Sequence, residues 1–186
     1  MGLWAIQIAK AIFPGIHVVI ADISDSKFQI AKIYGADETI LWDKSADPGE
    51  NAAAILETGT VDAVVDFCSY DSTFAAGLKS LGKNGAMVLA GLYGGMLKAP
   101  AIGVVFGAID IRGNNVLTYN QLADVMALAV EGKIVFPGCS FYPFEHLNMV
   151  LDKLKRGEVV GRALIDYNNI YTQNGRLTNI SLSEDQ

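Results

Sequence analysis

The chain has 186 residues, 51% of them hydrophobic, and a formal net charge of −6. That is enough material for one domain with a substantial core, and its acidity argues against a nucleic-acid or anionic-membrane partner. No stretch reaches the ~20 uninterrupted apolar residues of a membrane-spanning helix, because the best candidate, APAIGVVFGAI, is broken by Pro100, Gly103 and Gly107.

In chain order, MGLWAIQIAK reads as a mostly buried helix, with Ala5, Ile6, Ile8 and Ala9 set against Gln7 and Lys10. It has no signal-peptide pattern: the start lacks a basic residue, Lys10 interrupts the apolar run, and no small-residue cleavage site follows. HVVIAD (17–22) is short, β-branched and apolar, as a strand buried on both faces is. SDSKFQIAKIYG follows as a helix with a capping serine or aspartate and a stop at Gly35. ETIL (38–41) is a second strand, and Pro48 to Thr58 a helix with proline in its first turn. VDAVVDF (61–67) is a strand, DSTFAAGLKSL (71–81) a helix and GAMVLAGL (85–92) a strand. YGGMLKAPAIGVVFGA reads as an irregular crossing punctuated by Gly and Pro, leading to a strand at IDIRGNN (109–115). Thr118 and Gln121 stand in capping-box spacing ahead of a helix closed by Gly132. FEHLNMVLDKLKRG (144–157) is an amphipathic helix and GRALIDY (161–167) a last strand. Residues 168–186 are polar, lack periodicity and are expected to form a tail.

Strands and helices alternating through short connections imply parallel strands and right-handed crossovers, a doubly wound α/β sheet of Rossmann type. No domain boundary is visible, so residues 1–167 are expected to form one dinucleotide-binding domain. In such folds a strand runs into G-x-G-x-x-G and the next helix aims its free N–H groups at the pyrophosphate. An acidic residue for the adenosine ribose comes about 20 residues later. Here Gly2 begins a helix and Asp22 ends the next strand, 22 − 2 = 20 positions on. The pattern is that of a chain starting inside the phosphate-binding turn, its sheet lacking the first strand. A strand-end aspartate also serves simply as a helix cap, so these two residues alone leave other α/β folds open.

The segments GLWAIQIAKA, ADISDSKFQIAKIYGAD, DAVVDF, TFAAGLKSLGKNGAMVLAGLYGG, IRGNN and GEVVGRALID follow one another at specific spacings. Together they resemble the cofactor domain of the medium-chain, zinc-dependent alcohol dehydrogenase family, from Gly2 to about Tyr167. The resemblance implies NAD as cofactor and hydride transfer from a small alcohol or polyol. It also implies a homodimer paired through the strand near IDIRGNN. By the same resemblance, Gly2 and Leu3 open the helix that faces the pyrophosphate, Asp22 accepts both adenosine-ribose hydroxyls, and Lys27 accompanies it on that ribose. Phe67 and Cys68 line the adenine and ribose side. The backbone of Ala90, Gly91, Leu92 and Tyr93 holds the nicotinamide carboxamide, Asn115 and Val116 stand beside it, and Arg162 reaches the pyrophosphate. A carboxylate at ~4 Å from a 2′-phosphate repels it by about 4 kcal/mol per unit charge at an effective dielectric of ~20, so NAD is expected over NADP.

The departures from the family carry equal weight. Its zinc is held by Cys and His of an N-terminal domain that this sequence does not contain. Cys68 and Cys139 fall on no ligand position; lacking a C-x-x-C, they read as buried thiols of a reducing, cytoplasmic compartment. His17 and His146 read as structural. No catalytic and no metal-binding residue is assigned, and the chain by itself is expected to be inactive, zinc and substrate belonging with the missing domain. The rival reading is a non-enzymatic remnant with a structural or nucleotide-binding role.

Overall fold

The computed structural model describes residues 1–93 and 96–167; Gly94, Gly95 and the expected tail at 168–186 lie outside them. The chain folds as two compact units, Met1–Val135 and a second that begins at Phe136.

The first unit opens with α1 (Gly2–Ile12) and continues into β1 (Val19–Asp22). A 3-10 turn (Asp25–Lys27) capped by Ser24 runs into α2 (Phe28–Ile33), and Gly35, at φ +103°, turns the chain toward β2 (Glu38–Leu41). β1 and β2 pair in parallel, Val19 opposite Glu38 and Asp22 opposite Leu41. The apolar face of α1 is buried here: Ile6, Ala31 and Ala36 form a cluster edged by Leu3, Val18, Ile20 and Tyr34. α3 (Pro48–Leu56) starts as its sequence demands, with Asp47 accepting the Gly49 N–H and Pro48 in the first turn.

β3 (Val61–Asp66), β4 (Leu81–Leu89) and β5 (Asp110–Gly113) form a parallel sheet in that order. α4 (Asp71–Ser80) packs on β3 and β4, where a Cβ at Gly77 would come within 3.1 Å of both Met87 Cε and Val64 Cγ1. α6 (Tyr119–Val130) carries the capping box that its sequence announces: Thr118 Oγ1 accepts the Gln121 N–H at 3.3 Å and Gln121 Oε1 the Thr118 N–H at 2.9 Å. Gln7, buried on α1, fastens that helix to the segment after α6. Its amide donates to the Val135 carbonyl at 3.0 Å and accepts the Val135 N–H at 2.7 Å. In the second unit β6 (Cys139–Pro143) and β7 (Arg162–Asp166) pair in parallel, joined through α7 (Leu147–Lys155) with Val150 buried.

The α/β class with parallel strands is as read from the sequence, and the details depart from it in identifiable ways. The sheet is in three parts, and among the described residues no strand joins β1 to β3. The irregular crossing contains a helix, α5 (Ala101–Gly107), which Pro100 starts from an extended conformation and Ala108, left-handed at φ 50°, closes. Two glycines, each costing a helix about 1 kcal/mol, concealed it. β4 begins at Leu81 rather than at 85, because Leu81 pairs with Val61 before a register shift. β6 is not among the strands expected from the sequence; its five residues lie next to the turn-forming Pro137 and Gly138. Cys68 and Cys139, expected buried, are both exposed: one lies in the loop beyond β3, the other at the uncovered start of β6.

Candidate functional site

Parallel strands place their carboxyl ends on one edge, and loops there are free to carry a ligand. β3 ends at Asp66, and this buried carboxylate shapes the turn that follows. Its Oδ1 accepts the N–H groups of Cys68 and Ser69, both at 2.8 Å, and its Oδ2 accepts the Thr73 hydroxyl at 2.7 Å. The Asp66 carbonyl accepts from Ala90 and Gly91, at 2.9 and 3.0 Å, which lashes the end of β4 to the end of β3. Within the turn Ser69 is left-handed at φ 58°, and its buried hydroxyl has no partner among the described residues.

Gly91 passes so close to Cys68 that a Cβ would lie 2.3 Å from the Cys68 carbonyl carbon and 2.6 Å from its nitrogen. Only a glycine permits this approach. Two residues on, Tyr93 donates its N–H to the Cys68 carbonyl at 3.3 Å and stacks its ring on Tyr70, centroids 4.9 Å apart.

β1 ends at Asp22. Ser24, not Asp22, caps the helical turn that follows; Asp22 Oδ1 accepts only the Ser24 N–H at 3.1 Å, and its other oxygen has no partner among the described residues. Partial enclosure raises the Cys68 thiol above its ordinary value, and the charges of Asp66 and Asp22 raise it further, so the sulfur stays protonated at neutral pH.

The other sequence-predicted residues fall on several elements. Gly2 and Leu3 form the first turn of α1, whose leading N–H groups have no acceptor within the helix. Lys27 closes the 3-10 turn beyond Asp22. Phe67 and Cys68 follow β3 directly, and Ala90, Gly91, Leu92 and Tyr93 follow β4. Asn115 and Val116 lie past the end of β5 as exposed loop residues, beside Asn114, which donates its N–H to Leu89. Arg162 is the exposed first residue of β7 in the second unit. Asp66, Ser69, Tyr70 and Thr73 were not singled out from the sequence. Their signal was legible: an aspartate ending an apolar strand, with a threonine seven residues on to meet its second oxygen.

Comparison with known proteins bears on this geometry. Residues 1–131 match the family model described as zinc-binding dehydrogenase. An alcohol dehydrogenase from Geobacillus stearothermophilus is 32% identical over 168 residues, covering 89% of this chain and 47% of the relative. Among solved structures, an alcohol dehydrogenase from Aeropyrum pernix superposes with a TM-score of 0.76 at 30% identity, over 89% of this chain and 47% of that one. An acetophenone reductase from Geotrichum candidum, solved in complex with NAD, superposes with a TM-score of 0.74 at 29% identity, over 90% and 46%. The chain thus spans about half the length of the relatives it matches. With the family model covering α1 through α6 and the strand ends arranged as described, this chain belongs to the zinc-binding dehydrogenase family.

Proposed function

We propose that the chain is the NAD-binding part of an alcohol dehydrogenase, acting with zinc-binding residues outside this sequence in hydride transfer between an alcohol and the nicotinamide. The observation that carries this reading is the lashing of the β4 end to the β3 end, with an obligatory glycine at Gly91 and an under-used carboxylate at Asp22. The residues fit the cofactor. Asp22 has an oxygen to spare for ribose hydroxyls, with Lys27 close behind in sequence. The first turn of α1, at Gly2 and Leu3, offers N–H groups to a pyrophosphate. Phe67 and Cys68 take the adenine and ribose side, and the backbone of Ala90 to Tyr93, with Asn115 and Val116 beyond β5, takes the nicotinamide. We assign Arg162 to the pyrophosphate as well. When bound, NAD supplies the hydride acceptor; this chain's own residues bind and orient it.

Among the described residues no three His, Cys, Asp or Glu side chains gather to hold a metal. No helix among them is long and apolar enough to cross a membrane, and two exposed free thiols suit a reducing cytoplasm. The outer edge of β5 is exposed along all four residues, and α5 beside it exposes Ile102, Val105 and Phe106, each by 70% or more. An open strand edge flanked by apolar side chains is an invitation to pair. We assign it to a second copy of the chain, and light scattering at micromolar concentration is expected to return a dimer; a monomer would refute the assignment.

The test of function is cofactor discrimination, measured by calorimetry on the chain at up to millimolar ligand. NAD is expected to bind at least tenfold more tightly than NADP, and Asp22→Gly to remove most of that difference by weakening NAD and relieving repulsion of the 2′-phosphate. An equal loss for both cofactors would reduce Asp22 to a fold residue.

A further inference from the structure

Tyr70 takes no part in the cofactor contacts proposed above, yet it stands at the joint of the two loops that make most of them. Its backbone is held rigidly. The Tyr70 N–H donates to Thr73 Oγ1 at 3.1 Å, and Thr73 is itself tied to the buried carboxylate of Asp66, which also fixes Cys68 and Ser69. The Tyr70 side chain is half exposed, and the ring it meets is that of Tyr93, 4.9 Å away at an interplanar angle of 26°. Among the described residues Tyr93 has much less to hold it: one N–H bond of 3.3 Å to the Cys68 carbonyl and that stack, with most of its side chain in solvent. The segment after β4 is therefore anchored at Ala90 and Gly91 by the Asp66 carbonyl and, three residues after Ala90, by the Tyr70 ring.

We propose that Tyr70 is a positioning residue: through its stack on Tyr93 it holds the backbone of residues 90–93 at the height that the nicotinamide end of the cofactor requires. This rests on the NAD reading above. It follows that removing the Tyr70 ring loosens one loop and not the other. The turn at 66–69 keeps all its hydrogen bonds to Asp66, so the adenine and ribose side is undisturbed, while Leu92 and Tyr93 lose their second anchor. An aromatic pair of this geometry shifts an equilibrium by roughly three- to tenfold.

The experiment has two readouts on the whole chain. Hydrogen exchange is measured at the Tyr93 amide in the wild type, Tyr70→Ala and Tyr70→Phe. Affinities for NAD and for ADP-ribose, which lacks the nicotinamide, are measured at up to millimolar ligand by ligand-observed NMR. Tyr70→Ala is expected to speed exchange at Tyr93 about three- to tenfold and to weaken NAD by a similar factor while leaving ADP-ribose unchanged, and Tyr70→Phe to restore both. Unchanged exchange in Tyr70→Ala overturns the stack as an anchor. Faster exchange with unchanged NAD affinity, or with NAD and ADP-ribose weakened alike, overturns the positioning role. A wild type that binds neither ligand overturns the dinucleotide reading and with it the role assigned to Tyr70, leaving the exchange result as a statement about the loop alone.

Discussion

Gly91→Ala is expected to lower the stability of the chain by more than about 3 kcal/mol and to abolish cofactor binding. The reason is the nature of what an added methyl would strike. At Gly77 the neighbours are the tip of Met87 and a methyl of Val64, side-chain atoms that can turn aside. At Gly91 the neighbours are the nitrogen, carbonyl carbon and oxygen of Cys68, at 2.6, 2.3 and 2.5 Å. Those atoms cannot yield separately, because the Cys68 N–H is bonded to Asp66 and its carbonyl to Tyr93. The loops must part, and the hydrogen bonds from Ala90 and Gly91 to the Asp66 carbonyl part with them. Gly113→Ala serves as the control: nothing lies within 4 Å of a Cβ there, so its cost stays below about 1 kcal/mol. Urea denaturation of the two variants checks the difference, and a Gly91→Ala protein as stable as Gly113→Ala would show that the two loops do not touch.

Asp66→Ala carries the second large effect, a loss of roughly 2–4 kcal/mol. Its carboxylate accepts from Cys68, Ser69 and Thr73, two of them backbone donors, of which the Ser69 N–H is buried. A charge-assisted bond contributes about 1.5–3 kcal/mol, and a buried donor left without an acceptor loses about 1–3. Asp66→Asn retains a carbonyl oxygen for the two amides and is expected to recover about half of the loss. The left-handed Ser69 gives the same experiment an internal check. With the clamp gone, nothing holds Ser69 in a conformation that costs a non-glycine residue about 1–2 kcal/mol, so Ser69→Gly should stabilise the wild type more than it stabilises Asp66→Ala. Equal gains in both backgrounds would mean that Asp66 does not hold the turn.

Much of this fold was legible because its signals are local. The capping box at Thr118 and Gln121, the proline in the first turn of α3 and the glycine stop at Gly35 each act within one turn of chain, and each element stands where they point. What escaped had weak or contradictory local signals. α5 holds two glycines in seven residues and is positioned by Pro100 and by Ala108 in a conformation no alanine advertises. β6 follows a Pro-Gly pair and finds its partner more than twenty positions later in β7, so its strand character is a product of pairing rather than of composition. At the candidate site the division is similar. Asp22 is named by counting from Gly2, whereas in the sequence Asp66 is one more acidic residue at a strand end. Its importance is that three donors converge on it, and convergence is a property of three dimensions.

The clip between Gln7 and Val135 has a consequence for the order in which this molecule can come together. The two residues are 128 positions apart, so at roughly 5–20 residues per second a ribosome completes Val135 some 6 to 25 s after Gln7. For that interval α1 exists without its fastening, and Ile6, Leu3 and Gln7 must be sheltered by whatever has already emerged. The first shelter available is the β1–α2–β2 segment that supplies Ala31 and Ala36. Nascent α1 therefore docks provisionally on its nearest neighbour in the chain and is locked only when the end of the unit is made. A chain interrupted before residue 135 would leave the Gln7 amide without the Val135 backbone groups that it otherwise bonds.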